Sequence, residues 1–135
     1  MSDIRIVQAD SWLLLSLILA TERQLVAGVR DLISVADYID HSIIAREELE
    51  AGFARLIEAG HALQVPGGFA VSAGVREFWQ GLTPKDQRPH KARPLIAAML
   101  GVVPGVCGPL PVTSAERYVT VADYATARED YLRGS

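Results

Sequence analysis

Residues 46–71 read REELEAGFARLIEAGHALQVPGGFAV, and the hydrophobic period changes partway along. Leu49, Phe53, Leu56 and Ile57 recur at helical spacing as far as Gly60, a residue without Cβ that suits a left-handed helix stop. Beyond it Leu63, Val65, Phe69 and Val71 alternate with other residues, which predicts a β-hairpin that turns at Pro66-Gly67-Gly68 and aligns all four on one face. A well-defined helix running straight into a hairpin therefore sits at the centre of the chain.

Upstream, Asp10 is placed to cap a helix whose residues 12–19 (WLLLSLIL) are apolar on every side, the pattern of a helix enclosed by other elements. This run is too short to span a bilayer. Acidic residues flank it and no small-residue cleavage site follows, so it reads as a buried helix rather than a leader. Leu25, Val29, Leu32, Ile33 and Ala36 predict a second, amphipathic helix to about Tyr38, followed by a polar turn at Asp40, His41 and Ser42. Downstream, Val75, Phe78, Trp79 and Leu82 return to helical spacing before Thr83-Pro84. The polar, proline-bounded stretch 84–94 (PKDQRPHKARP) reads as an exposed basic linker, and a short helix is expected from Leu95. Residues 101–111 (GVVPGVCGPLP) predict an irregular crossing. The capping signals Thr113 with Glu116 and Thr120 with Asp123 then introduce a final helix that stops at Gly134.

The chain has 135 residues, about the size of one domain, and a formal charge of −3. Half of the residues are hydrophobic and 21% are charged, which excludes disorder, collagen-like repeats and a disulfide scaffold. A single cysteine, Cys107, cannot close an intramolecular disulfide and fits a reducing cytoplasm.

Three helices followed by a hairpin is the order of a winged helix. Residues 32–49 (LISVADYIDHSIIAREEL) and 56–60 (LIEAG) resemble an uncharacterised group of small bacterial winged-helix proteins, in which an A-D-Y-I-like helix end leads to an E-E-L helix, an L-I-x-A-G stop and a wing. The resemblance implies the fold and no activity, and it covers about half of the chain. It departs at Ala45, where the group usually has a Thr or Ser cap. The expected architecture is mainly α with a small β-hairpin: a winged-helix domain over residues 1–83, a basic linker over 84–94 and a C-terminal helical extension over 95–135, packed on the domain or on a partner.

Winged helices commonly place the third helix in the major groove. Here that helix carries Arg46 and Arg55 against Glu47, Glu48, Glu50 and Glu58, a poor match to a row of phosphates, and the wing has no Lys or Arg. Glu47 and Glu48 are also explained by the helix dipole alone. Basic residues gather instead at Lys85, Arg88, Lys91 and Arg93, so the candidate nucleic-acid contacts are those four with Arg46 and Arg55.

Signatures of catalysis are missing: no HExxH, CxxC, GxGxxG or phosphate-binding loop occurs. Ala70-Val71-Ser72-Ala73-Gly74 imitates a nucleophile elbow with Ala in place of the first Gly, but only Glu77 and Asp86 lie between Ser72 and His90, the sole later histidine, and a chain of this length lacks the parallel sheet, so Ser72 reads as a strand end. His41, His61 and His90 have no Cys or carboxylate at ligand spacing, so a metal site there would depend on tertiary coincidence. No catalytic residue, cofactor or metal is expected, and no membrane. The function expected first is non-enzymatic, through a protein partner or a homodimer, with Tyr118, Val121, Tyr124, Arg128, Tyr131 and Leu132 of the final helix as candidate interface. The alternative is a DNA-binding transcriptional regulator using the third helix and the basic linker.

Overall fold

The computed structural model describes residues 6–102 and 115–134, which form six helices and one two-stranded antiparallel hairpin. In chain order these are α1 (Gln8–Ala20), α2 (Val29–Asp40), α3 (Arg46–Glu58), β1 (Ala62–Val65), β2 (Gly68–Val71), α4 (Ala73–Gln80), α5 (Pro89–Leu100) and α6 (Val121–Gly134). Helix α1 is the axis: Asp10 through Ile18 are all buried, and α2, α3, α5 and β2 pack around it. The all-round apolar run is thus enclosed, as its composition dictates. Its buried polar atoms have partners, Trp12 Nε1 donating to the Ala36 carbonyl at 3.1 Å and Ser16 Oγ to the Trp12 carbonyl at 2.8 Å. Cys107 and the Thr113 cap lie outside the described residues.

The first three helices begin alike. In each, the N-cap residue has no side-chain acceptor, and a carboxylate three positions later reaches back to the N-cap N–H. Asp10 accepts from Val7 at 2.9 Å, Asp31 from Gly28 at 3.0 Å and Glu48 from Ala45 at 3.1 Å. Asp10 is therefore inside its helix rather than the cap itself, and Ala45 begins α3 without a hydroxyl because Glu48 satisfies its N–H.

The hairpin departs from the sequence expectation in register. Val65 pairs with Gly68, so the loop holds two residues, Pro66 and Gly67, with Gly67 at φ 89°. Proline followed by a glycine at positive φ is the type II pattern. Shortening the loop from three residues to two flips one strand relative to the other. Ala62 and Gln64 consequently share a face with Val71 and Phe69, whereas Leu63 lies opposite Ala70 and is exposed. The expected common face of Leu63 with Phe69 and Val71 is wrong for this reason, and Val71 is half-buried.

Residues 25–28 are not the start of a helix. Ala27 bridges Phe69 in antiparallel fashion, each donating its N–H to the other's carbonyl at 2.9 Å, so an isolated bridge borders β2. Helix α2 starts only at Val29, and Leu25 is 87% exposed rather than core. The close approach fixes Gly68, where a Cβ would lie 2.1 Å from the Ala27 carbonyl oxygen.

Ser72 ends the wing by capping α4, its Oγ accepting the Val75 N–H at 3.3 Å. Helix α4 is fastened to the end of α1 by Arg76 donating to Thr21 Oγ1 (2.8 Å) and Trp79 Nε1 donating to Glu22 Oε1 (3.1 Å). The second half of the stretch expected to be a linker, residues 89–94, is the start of a helix, and residues 84–88 form turns. Helix α5 begins at Pro89, where a missing N–H costs nothing, and runs through Pro94, whose ring removes the bond to the His90 carbonyl on an exposed turn. Burial of Ala92 and Ile96 against the core offsets that loss.

Candidate functional site

The structure brings Arg46 and the C-terminal interface candidates to one side of the chain and scatters the other nominated cations. Arg46 and Glu50 are one turn apart on α3 and both are buried, with 5% and 1% of their surfaces exposed. An Arg–Glu pair at this spacing normally faces water. Here both side chains grip one stretch of backbone instead. Arg46 Nη1 donates to the carbonyls of Ala115 (2.9 Å) and Val119 (2.8 Å), and Glu50 Oε1 accepts the N–H groups of Tyr118 (2.8 Å) and Val119 (3.0 Å). Val119 is itself buried in the common core. Charge-assisted bonds in a buried site are strong, and the Arg46 charge is balanced both by the carbonyls it holds and by Glu47, whose carboxylate lies 3.7 Å from Arg46 Nε.

Helix α6 continues from this clamp and lies along α2. Thr120 Oγ1 accepts the Asp123 N–H at 3.1 Å, as the capping signal predicts. Tyr124 donates its hydroxyl to the Ile44 carbonyl and Tyr131 donates to Asp37 Oδ2, both at 2.5 Å. The docked face is therefore Tyr124, Ala127 and Tyr131, which pack against the core. The expected single stripe of Val121, Tyr124, Ala125, Arg128 and Leu132 is split. Tyr124 points inward, while Val121 (57% exposed), Ala125, Arg128 and Leu132 (55% exposed) form an outward stripe. The reason is local: the two long tyrosines find oxygen acceptors on α2 and at Ile44, and reaching both turns the helix away from its aliphatic edge.

The other nominated cations are dispersed. Arg55 lies on the opposite side of α3 and makes a two-pronged bond to the buried Asp10 carboxylate at 2.7 and 2.8 Å. Arg93 pairs with Asp40 at 3.2 Å, and Lys85, Arg88 and Lys91 are exposed. No helix among the described residues is long and apolar enough to cross a membrane. No group of three metal-ligating side chains is found among them either. No family model, curated protein or solved structure matches the chain. What the geometry contains is a polar clamp for peptide backbone, two tyrosine anchors and an exposed aliphatic stripe. Sequence reasoning passed over Asp37, took Asp10 only as a helix cap and counted Glu50 only as a negative charge on the third helix. The available signal was a glutamate set between Leu49 and Phe53 on the apolar side of α3.

Both tyrosines titrate upward. Burial raises Tyr124 above the ordinary 10.0, with Glu47 and Glu48 adding to the rise and Arg128 opposing it. The hydrogen bond to Asp37 raises Tyr131. A raised folded value means that the stabilisation is fully present below pH 10.0 and is lost as pH climbs through the folded values. Alkaline titration should therefore loosen α6 before the α1 core unfolds. Tyrosinate absorbance followed beside amide exchange checks this, and phenols ionising at their ordinary value with α6 unaffected would contradict it.

Proposed function

We propose that this chain is a winged-helix protein that acts through protein contacts, self-association included, and not by catalysis. Three helices, an isolated bridge at Ala27 and a wing-like hairpin support the fold reading. The observation that carries the functional reading is the engagement of α3. Arg46 and Arg55 are its only basic side chains, and both are held inside the chain, one by the backbone of residues 115–119 and the other by Asp10. Major-groove readout needs cations and donors presented outward from that helix. The outward stripe of α6 offers apolar surface suited to protein.

DNA binding through Lys85, Arg88 and Lys91 is the second reading, favoured by the exposure of all three in the turn before α5 and its first residues. Contacts from so few cations supply only the sequence-independent, salt-dependent part of an affinity. Isotherms on random and genomic duplexes at two salt concentrations should give dissociation constants no tighter than roughly 10⁻⁶ M at physiological salt, equal for all sequences. Nanomolar, sequence-selective binding would replace the first reading with the second.

A further inference from the structure

Helix α6 has a second edge beside the one that docks on the chain's own core. Val121, Ala125, Arg128 and Leu132 lie along it, all exposed. Their spacing of four, three and four residues is that of a coiled-coil seam, in which the facing positions recur every 3.5 residues on average. A depression of about 500 Å³ lies on this edge, rimmed by Ala125, Arg128, Glu129 and Leu132 with Tyr124 and Arg133 at its sides. The first four stand at i, i+3, i+4 and i+7, the arrangement that receives a side chain from a facing helix.

The order of side chains along the seam decides what the facing helix is. Turned over about a two-fold axis between Thr126 and Ala127, the seam complements itself: Val121 meets Leu132 of the second copy, and Ala125 meets Arg128 of the second copy. The large aliphatics cover one another at the two ends, and the small Ala125 leaves room for the arginine stem to lie along it. Arg128 makes no ion pair with the described residues, and Glu129, which pairs with Arg133, stands one turn beyond Ala125. Side chains lean towards the N-terminus of their own helix, so in an antiparallel pair Arg128 and Glu129 of the second copy converge, twice by symmetry. A parallel pair would set Arg128 against Arg128 instead. A patch that matches itself about a two-fold axis is what an isologous dimer requires.

We propose that α6 is a dimer interface, pairing antiparallel with α6 of a second copy of this chain through Val121, Ala125, Arg128 and Leu132. The proposal rests on the self-association reading and names its surface and register. Two helices about 21 Å long cover less than the roughly 800 Å² per partner of a standard interface, so the dimer is weak and dissociates on dilution.

Sedimentation equilibrium of the full chain over a wide range of concentration tests this. The wild-type chain should pass from monomer to dimer. Leu132→Asp sets a carboxylate against Val121 of the second copy and should weaken the dimer by about tenfold or more. Arg128→Glu and Glu129→Arg should each weaken it in the same way, by setting like charges together, and the two combined should regain most of the affinity because the pair is rebuilt with its signs exchanged. All three positions are exposed, so the diluted variants should melt as the wild-type monomer does. A dimer that Leu132→Asp leaves unchanged overturns this interface and leaves self-association through another surface standing. Single charge variants whose loss the double variant does not recover overturn the antiparallel pairing. A wild-type chain that is monomeric at every concentration overturns the interface and self-association together.

Discussion

Replacing Arg55 by methionine should destabilise the fold by about 3–5 kcal/mol, the range for removing one partner of a buried ion pair. The Asp10 carboxylate sits in the core beside Leu13 and Gly52, with its side chain 1% exposed, and two of its three hydrogen bonds come from Arg55. Methionine fills a similar volume, so the loss reports the stranded charge rather than a cavity. Removing that charge in the same background with Asp10→Asn should recover part of the loss, because an amide keeps an acceptor for the Val7 N–H and carries no charge. Urea denaturation of the two single variants and the double variant measures the coupling. A loss for Arg55→Met below about 1 kcal/mol would mean that water reaches Asp10 and that α1 and α3 are not joined as described.

Phe53→Ala should cost about 3–5 kcal/mol, the range for deleting a buried aromatic ring. The Phe53 ring is fully buried and lies parallel to Phe69, with centroids 3.8 Å apart and planes 7° apart. Phe69 also carries the reciprocal bonds to Ala27, so the loss should spread from α3 into the hairpin and the bridge beside it. Besides a lower denaturation midpoint, amide exchange at Ala27 and Phe69 should accelerate more than exchange at the α1–α5 contact. Uniform acceleration would place the hairpin and the helices in one cooperative unit instead.

The helices were legible where period and burial agree. The all-apolar stretch after Asp10 is the buried axis, and Leu49, Phe53 and Leu56 line the inner face of α3 as their spacing requires. The hairpin was legible as a hairpin but not in its facing, because Pro66-Gly67-Gly68 allows a loop of two or three residues. That choice depends on Gly68 lying against Ala27, a contact distant in sequence. Leu25 matched a helical stripe by composition, yet pairing of Ala27 with β2 draws those residues into extended backbone. Pro94 suggested a boundary that burial of Ala92 and Ile96 overrides.

The candidate site was legible only in part. Tyr124 and Tyr131 stand out on a C-terminal amphipathic helix, whereas nothing local distinguishes Arg46 and Glu50 from a solvent-exposed i,i+4 pair. Their burial follows from residues 115–119, about seventy positions away, crossing over them. The same long-range contact explains why charge counting along α3 was an incomplete guide. Glu50 is spent on backbone N–H groups and Arg46 on carbonyls, so neither contributes to an outward field.

Residue-resolved amide exchange at Tyr118 and Val119 tests the central claim most directly. Both N–H groups donate to Glu50, and if α3 holds the C-terminal segment as described they should exchange about as slowly as amides within α3. Glu50→Gln should release them while the α1 amides stay protected. Exchange of Tyr118 and Val119 at the rate of an unfolded peptide in the wild-type chain would contradict the account, since α3 would then present Arg46 and Glu50 to solvent.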